Sequence, residues 1–148
     1  MRRASEMPWV ASMIQIGLRG IGSARQAEVD AARAFGSVMV GASELRRVGV
    51  ESVLARVPTA AGYYITLDAD GLDPTIAPGV LGPSPGGLTY DEAARLLRGV
   101  AGKGPVVGLD VVEVVPDLDI ANLTSVHVAR LILDVIGALA HAGQIGRR

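Results

Sequence analysis

The 148-residue chain contains no cysteine. That absence excludes a disulfide scaffold, a cysteine-ligated zinc or iron–sulfur site and a thiol nucleophile. Charge imbalance is also missing, since 14 basic and 15 acidic residues leave a formal net charge of −1. General nucleic-acid binding needs a basic footprint that such a balance does not supply. No uninterrupted apolar run reaches the roughly 18 residues that cross a bilayer, so no spanning helix is expected. Intrinsic disorder is excluded in turn, because 49% of the residues are hydrophobic.

What is present is enough for one core. A chain of this length buries roughly two thirds of its surface, and one domain is the expectation. The start has some features of a signal peptide, with Arg2-Arg3 ahead of the apolar stretch 9–18. Glu6, Pro8 and Gln15 interrupt it, however, and no small-residue cleavage site follows. A cytoplasmic location is the resulting expectation.

Short apolar runs alternate with helical patterns along the chain. Residues 12–17, 37–41, 62–68 and 105–115 read as strands. Residues 23–35, 43–56, 89–101 and 119–142 read as helices. The first carries Ser23 and Gln26 at capping-box spacing, and the third carries Thr89 and Glu92. The last has Val128, Ile132, Val135, Ile136 and Leu139 on one face, with Gly143 as terminator. Between 69 and 88, Pro74, Pro78, Pro83 and Pro85 exclude a helix or a central strand. The alternation predicts an α/β fold, a parallel sheet with helices on both faces.

Ligands in open parallel sheets bind at the carboxyl ends of strands. Asp68 and Asp70 sit there, after the third strand, two apart and so on one side of it. Two carboxylates aimed into one cleft repel unless a cation joins them, and carboxylate oxygens suit Mg²⁺, Mn²⁺ or Ca²⁺. Capping of the following turn explains the same pair equally well, and Asp73 before Pro74 is read as a turn-former. Asp110 and Glu113 interrupt the fourth strand and face opposite ways if it is regular. A carboxylate buried there needs a partner, either a cationic substrate group or Arg19. Gly17, Gly20 and Gly22 do not have dinucleotide-loop spacing and read as a plain turn. Ser84 lacks a nucleophile-elbow context. His127 and His141 lie nearly four turns apart on the last helix and read as surface residues.

These strand ends carry a resemblance. Residues 63–88, YYITLDADGLDPTIAPGVLGPSPGGL, resemble the signature of the ureohydrolases, the arginase and agmatinase family. Residues 107–119, VGLDVVEVVPDLD, resemble that family's second C-terminal signature, and IQIGLRGIGS at 14–23 and RRASEMP at 2–8 are also agmatinase-like. The resemblance implies an arginase-type three-layer fold and hydrolysis of a small guanidino compound, such as agmatine, to urea and an amine. In that chemistry a pair of Mn²⁺ ions activates the attacking water. Asp68 and Asp70 match metal-binding aspartates, and Glu113 matches the glutamate that pairs with the substrate guanidinium.

The departures are equally definite. The family's Gly-Gly-Asp-His and Asp-Ala-His-x-Asp ligand segments do not occur in these residues, nor does its proton-shuttling histidine. No catalytic residue is therefore assigned. The 148 residues are expected to be one partial domain, the C-terminal half of a ureohydrolase, inactive alone. A homo-oligomer is expected for the family, with no nucleic-acid or membrane partner. The alternative is a non-catalytic truncated binding or assembly module.

Overall fold

The computed structural model describes residues 1–20 and 24–146. It divides into two compact units, Met1–Pro58 and Thr59–Arg148. Each contains parallel strands and helices, the α/β pattern that the alternation predicts.

In the first unit a single turn, α1 (Arg2–Ser5), precedes β1 (Ile14–Leu18). Strand β1 pairs in parallel with β2 (Val38–Gly41), Ile14 opposite Val38 and Ile16 opposite Val40. Helix α2 (Gln26–Phe35) makes the crossover that parallel strands require. The expected cap Ser23 and the glycine Gly22 lie outside the described residues. The helix start is held instead by Glu28, whose Oε2 accepts the Arg25 backbone N–H at 2.9 Å. The single helix expected over 43–56 is two, α3 (Ala42–Val48) and α4 (Val50–Leu54). Gly49 separates them at φ 85° and ψ 157°, a conformation that breaks the helix and that glycine adopts without a side-chain clash. Val40, Leu45 and Val53 form the solvent-free centre of this unit.

In the second unit β3 (Tyr63–Asp68) pairs in parallel with β4 (Val106–Val112). Tyr64 lies opposite Gly108, Thr66 opposite Asp110 and Asp68 opposite Val112. Helix α5 (Tyr90–Ala101) starts with the expected capping box. Thr89 Oγ1 accepts the Glu92 N–H at 3.2 Å, and Glu92 Oε2 accepts the Thr89 N–H at 2.8 Å. Its Ala93, Leu96 and Leu97 are buried.

Helix α6 (Leu123–His141) begins four residues later than the pattern suggests. Ala121 and Asn122 have φ of 52° and 56°, which no α-helix accommodates. Asp119 nevertheless caps the helix from a distance. It accepts the Thr124 N–H at 2.8 Å, the Ser125 N–H at 2.9 Å and the Ser125 hydroxyl at 2.7 Å. The buried face consists of Thr124, Val128, Leu131 and Val135. Ile136, expected on that face, is 46% exposed. Gly143 ends the helix as expected, at φ 68°, with the Gln144 N–H reaching back to Leu139 O at 2.9 Å. An 18-residue window within Ile120–His141 has a mean hydropathy of 1.6, so by length and composition alone this segment could cross a membrane. Arg130 and Asp134 interrupt its apolar character, so no unbroken apolar run reaches spanning length. Asp134 ties it to α5, accepting the Tyr90 hydroxyl at 2.9 Å.

The long connection after β3 is closed rather than loose. A 3₁₀ turn, Ala69–Gly71, leads to a bridge between Leu72 and Leu88. Asp73 is more than a local turn-former. Its carboxylate accepts from the Thr75 N–H and hydroxyl and, across the loop, from the N–H groups of Gly86 and Gly87 at 2.9 and 3.1 Å. A Cβ on Gly87 would stand 2.4 Å from the Leu72 carbonyl, so only glycine fits.

Candidate functional site

The three candidate carboxylates come from the carboxyl ends of β3 and β4. Asp68 is the last residue of β3 and caps the 3₁₀ turn, its Oδ1 accepting the Asp70 N–H at 3.2 Å. Asp70 therefore lies in the turn and not on a continued strand. The two residues meet through a capped turn, so the local-cap reading of the pair is what this geometry shows. Register places Val112 opposite Asp68, and Glu113 follows it.

Glu113 has left the strand. Its φ of 64° is a left-handed conformation, rare for a side chain of this kind. Asp110 and Glu113 would face opposite ways only along a regular strand, and β4 ends at Val112. The turn brings Glu113 into the field of Asp68. Partial burial, followed by the negative charges of Asp70 and Glu113, pushes the Asp68 carboxyl up to about 6. Asp68 is exposed as a residue, so its charged form stays accessible near neutral pH.

Asp110 has a partner that the sequence did not suggest. The Tyr64 hydroxyl donates to its Oδ2 at 3.1 Å. Asp110 Oδ1 is buried and, among the described residues, is the side-chain atom left without a hydrogen bond. His127 is not a plain surface residue. Its Nδ1 lies 2.8 Å from the Ile76 carbonyl and its ring 5.8 Å from that of Tyr90, fastening the long loop to α6. His141 is exposed, as expected.

The donor chemistry fits a hard divalent cation: oxygen ligands whose mutual repulsion a positive charge would relieve. The donor count does not complete a centre. Among the described residues no three His, Cys, Asp or Glu side chains are grouped to hold an ion. Asp68 and Asp70 can thus serve as two ligands, with the others supplied from elsewhere. A cavity of about 750 Å³ lies in the first unit, lined by Met13, Gln15, Val29 and Met39 among others.

The loop also borders the site. The position of a Cβ on Gly82 would lie 3.7 Å from Asp70 Oδ2. Gly79 is locked at the base of this segment. Its N–H donates to the buried Thr124 hydroxyl at 2.8 Å, and its carbonyl accepts the Val115 N–H at 2.8 Å.

Residues 1–137 match the sequence profile of the arginase family. The guanidinopropionase of Pseudomonas aeruginosa is 38% identical over 133 residues, covering 87% of this chain and 41% of the relative. An agmatinase of Salmonella paratyphi B is 37% identical, over 83% of this chain and 38% of its own length. Among solved structures, the proclavaminate amidino hydrolase of Streptomyces clavuligerus superposes with a TM-score of 0.78 at 34% identity, over 90% of this chain and 44% of the other. The formimidoylglutamase of Bacillus subtilis gives 0.79 at 28% identity. The chain spans about two fifths of the length of these relatives.

Proposed function

Since the chain belongs to the arginase family, we propose that it carries the carboxylate part of a site that hydrolyses a small guanidino compound to urea and an amine. The carrying observation is Asp68 at the end of β3, whose carboxyl is pushed up to about 6 first by partial burial and then by the negative charges of Asp70 and Glu113, an environment that positive charge would relieve.

In this reading Asp68 and Asp70 hold divalent metal, Mn²⁺ by family analogy, in a centre completed by side chains outside this chain. The metal supplies Lewis-acid activation of the attacking water. Glu113 binds the substrate's guanidinium, a planar cation matched to a carboxylate by paired, charge-assisted hydrogen bonds. Its left-handed backbone, φ 64°, supports this reading by turning the chain out of the strand just past Val112. The substrate class is agmatine-like, supported by the agmatinase and guanidinopropionase relatives. These 148 residues carry two of the ligands in this reading, and taken alone they are expected to release no urea.

The test is a chimera in which residues 1–137 replace the matching segment of the Pseudomonas guanidinopropionase. Urea release with Mn²⁺ is expected. Asp68→Asn or Asp70→Asn lowers bound manganese, whereas Glu113→Gln keeps the metal and raises KM. Unchanged manganese in the aspartate variants, or unchanged KM in the glutamine variant, removes the assignment.

A further inference from the structure

Glu113 has a left-handed backbone and an exposed side chain, so burial of its own side chain does not hold it in that conformation. A residue with a Cβ stays there only when the chain on both sides over-determines it. On the strand side, Val112 is in register with Asp68 at the end of β4. On the other side a second tie lies two residues on, where the Val115 N–H donates to the Gly79 carbonyl at 2.8 Å.

Gly79 is a buried residue of the long loop, and α6 holds it. Its N–H donates to the hydroxyl of Thr124, which is fully buried on the first turn of that helix. Three residues further along α6, His127 Nδ1 lies 2.8 Å from the Ile76 carbonyl of the same loop. Residues three apart share a helix face, so one face of α6 grips the loop at two points. A Cβ on Gly79 would stand 2.6 Å from that of Asp119, so the glycine lies flush against this residue. Asp119 accepts the Thr124 N–H, and the 3₁₀ turn Pro116–Leu118 leads back from Asp119 to Val115. Val115, Gly79, Thr124 and Asp119 therefore close a ring, with Glu113 just outside it on the strand side.

We infer that Gly79 and Thr124 are positioning residues for Glu113. The Thr124 hydroxyl fixes the Gly79 peptide, and the Gly79 carbonyl fixes Val115, which keeps Glu113 in its left-handed turn at the end of β4. Neither side chain is asked to touch the substrate. The consequence for guanidinium binding rests on the role proposed above for Glu113. Removing the hydroxyl leaves the buried Gly79 N–H without its acceptor, so the loop base must shift to find another and releases Val115.

The test is Thr124→Val, which deletes the hydroxyl and keeps the side chain's branching. In the isotope-labelled chain the Val115 amide is expected to exchange about 10-fold faster, as for loss of a buried hydrogen bond. The strong intraresidue amide–Hα cross-peak that a positive φ gives Glu113 is expected to fade. Thr124→Ser, which keeps the hydroxyl, should preserve both signals. Ser125→Ala should preserve them too, since it weakens the same helix cap without touching Gly79. Unchanged signals in Thr124→Val overturn the inference, as does an equal change in Ser125→Ala, which would mean general loosening of the helix start. In the guanidinopropionase chimera, Thr124→Val should raise KM with bound manganese unchanged, and Thr124→Ser should restore it. A Glu113 that moves in Thr124→Val while KM stays constant rejects the guanidinium role of Glu113 and keeps the positioning by Gly79 and Thr124.

Discussion

The Tyr64 hydroxyl and Asp110 are joined across two strands, with 3.1 Å between the phenol oxygen and Oδ2. The tyrosine ring reaches its partner by lying over Gly108, where a Cβ would stand 2.5 Å from the ring. Hydrogen bonding to Asp110, reinforced by that residue's negative charge, raises the Tyr64 phenol above its ordinary range. Ionisation of this tyrosine in an alkaline ultraviolet titration should therefore come late in the native chain. Asp110→Asn should bring it earlier, and Gly108→Ala should do the same by displacing the ring. A titration curve identical in all three proteins would show that the pair does not persist in solution.

The raised carboxyl of Asp68 has a definite sign. Its pKa rises from 3.8 unfolded to about 6 folded, so the folded chain holds this proton more tightly. The resulting stabilisation is fully present below the unfolded value and is lost as pH climbs through about 6. Asp68→Asn should remove that dependence and melt higher than the native chain at neutral pH. Thermal melts at several pH values between the two pKa values and neutrality test this, and parallel profiles for both proteins would refute it.

Glu113 pays a conformational cost for its placement, with φ at 64°. Glycine adopts the same backbone without strain, so Glu113→Gly should stabilise the fold by up to about 1 kcal/mol while removing the group assigned to guanidinium binding. Urea denaturation measures the gain. A glycine variant less stable than the native chain would mean that the side chain, not the backbone, dominates here.

Two leucines on α6 should behave oppositely. Leu131 is fully buried, and Leu131→Ala should cost about 3 kcal/mol through lost contacts and the cavity left behind. Leu133, only two positions on, faces outward, and Leu133→Ala should stay within about 0.5 kcal/mol in the isolated chain. Denaturant midpoints separate the two cases, and comparable losses would place both residues in one core.

Local chemistry was legible in the sequence, and long-range pairing was not. The Thr89–Glu92 box could be read because its partners are three residues apart and their bonds depend on nothing else. Asp68, Asp70 and Glu113 could be singled out as candidates because strand ends and signature spacing both point there. Tyr64 and Asp110 are 46 positions apart, and their meeting depends on a register that the apolar pattern does not specify. The break at Gly49 is not legible, because one glycine within an apolar period does not reveal whether its φ is positive. Ile136 fits the helical period of the core face equally well, and its exposure follows from which neighbours are present.

The Asp73 clamp also bears on how this region can vary. One carboxylate fastens both ends of the loop, at Thr75 and at Gly86–Gly87, while Gly79 is anchored to Thr124. The residues between, with Leu81, Gly82, Pro83 and Pro85 exposed, hang from fixed posts. Loop length adds to closure entropy only logarithmically, so extra residues at this tip cost the frame little. The tip borders Asp70 and can change in length or composition while the strand ends keep their positions.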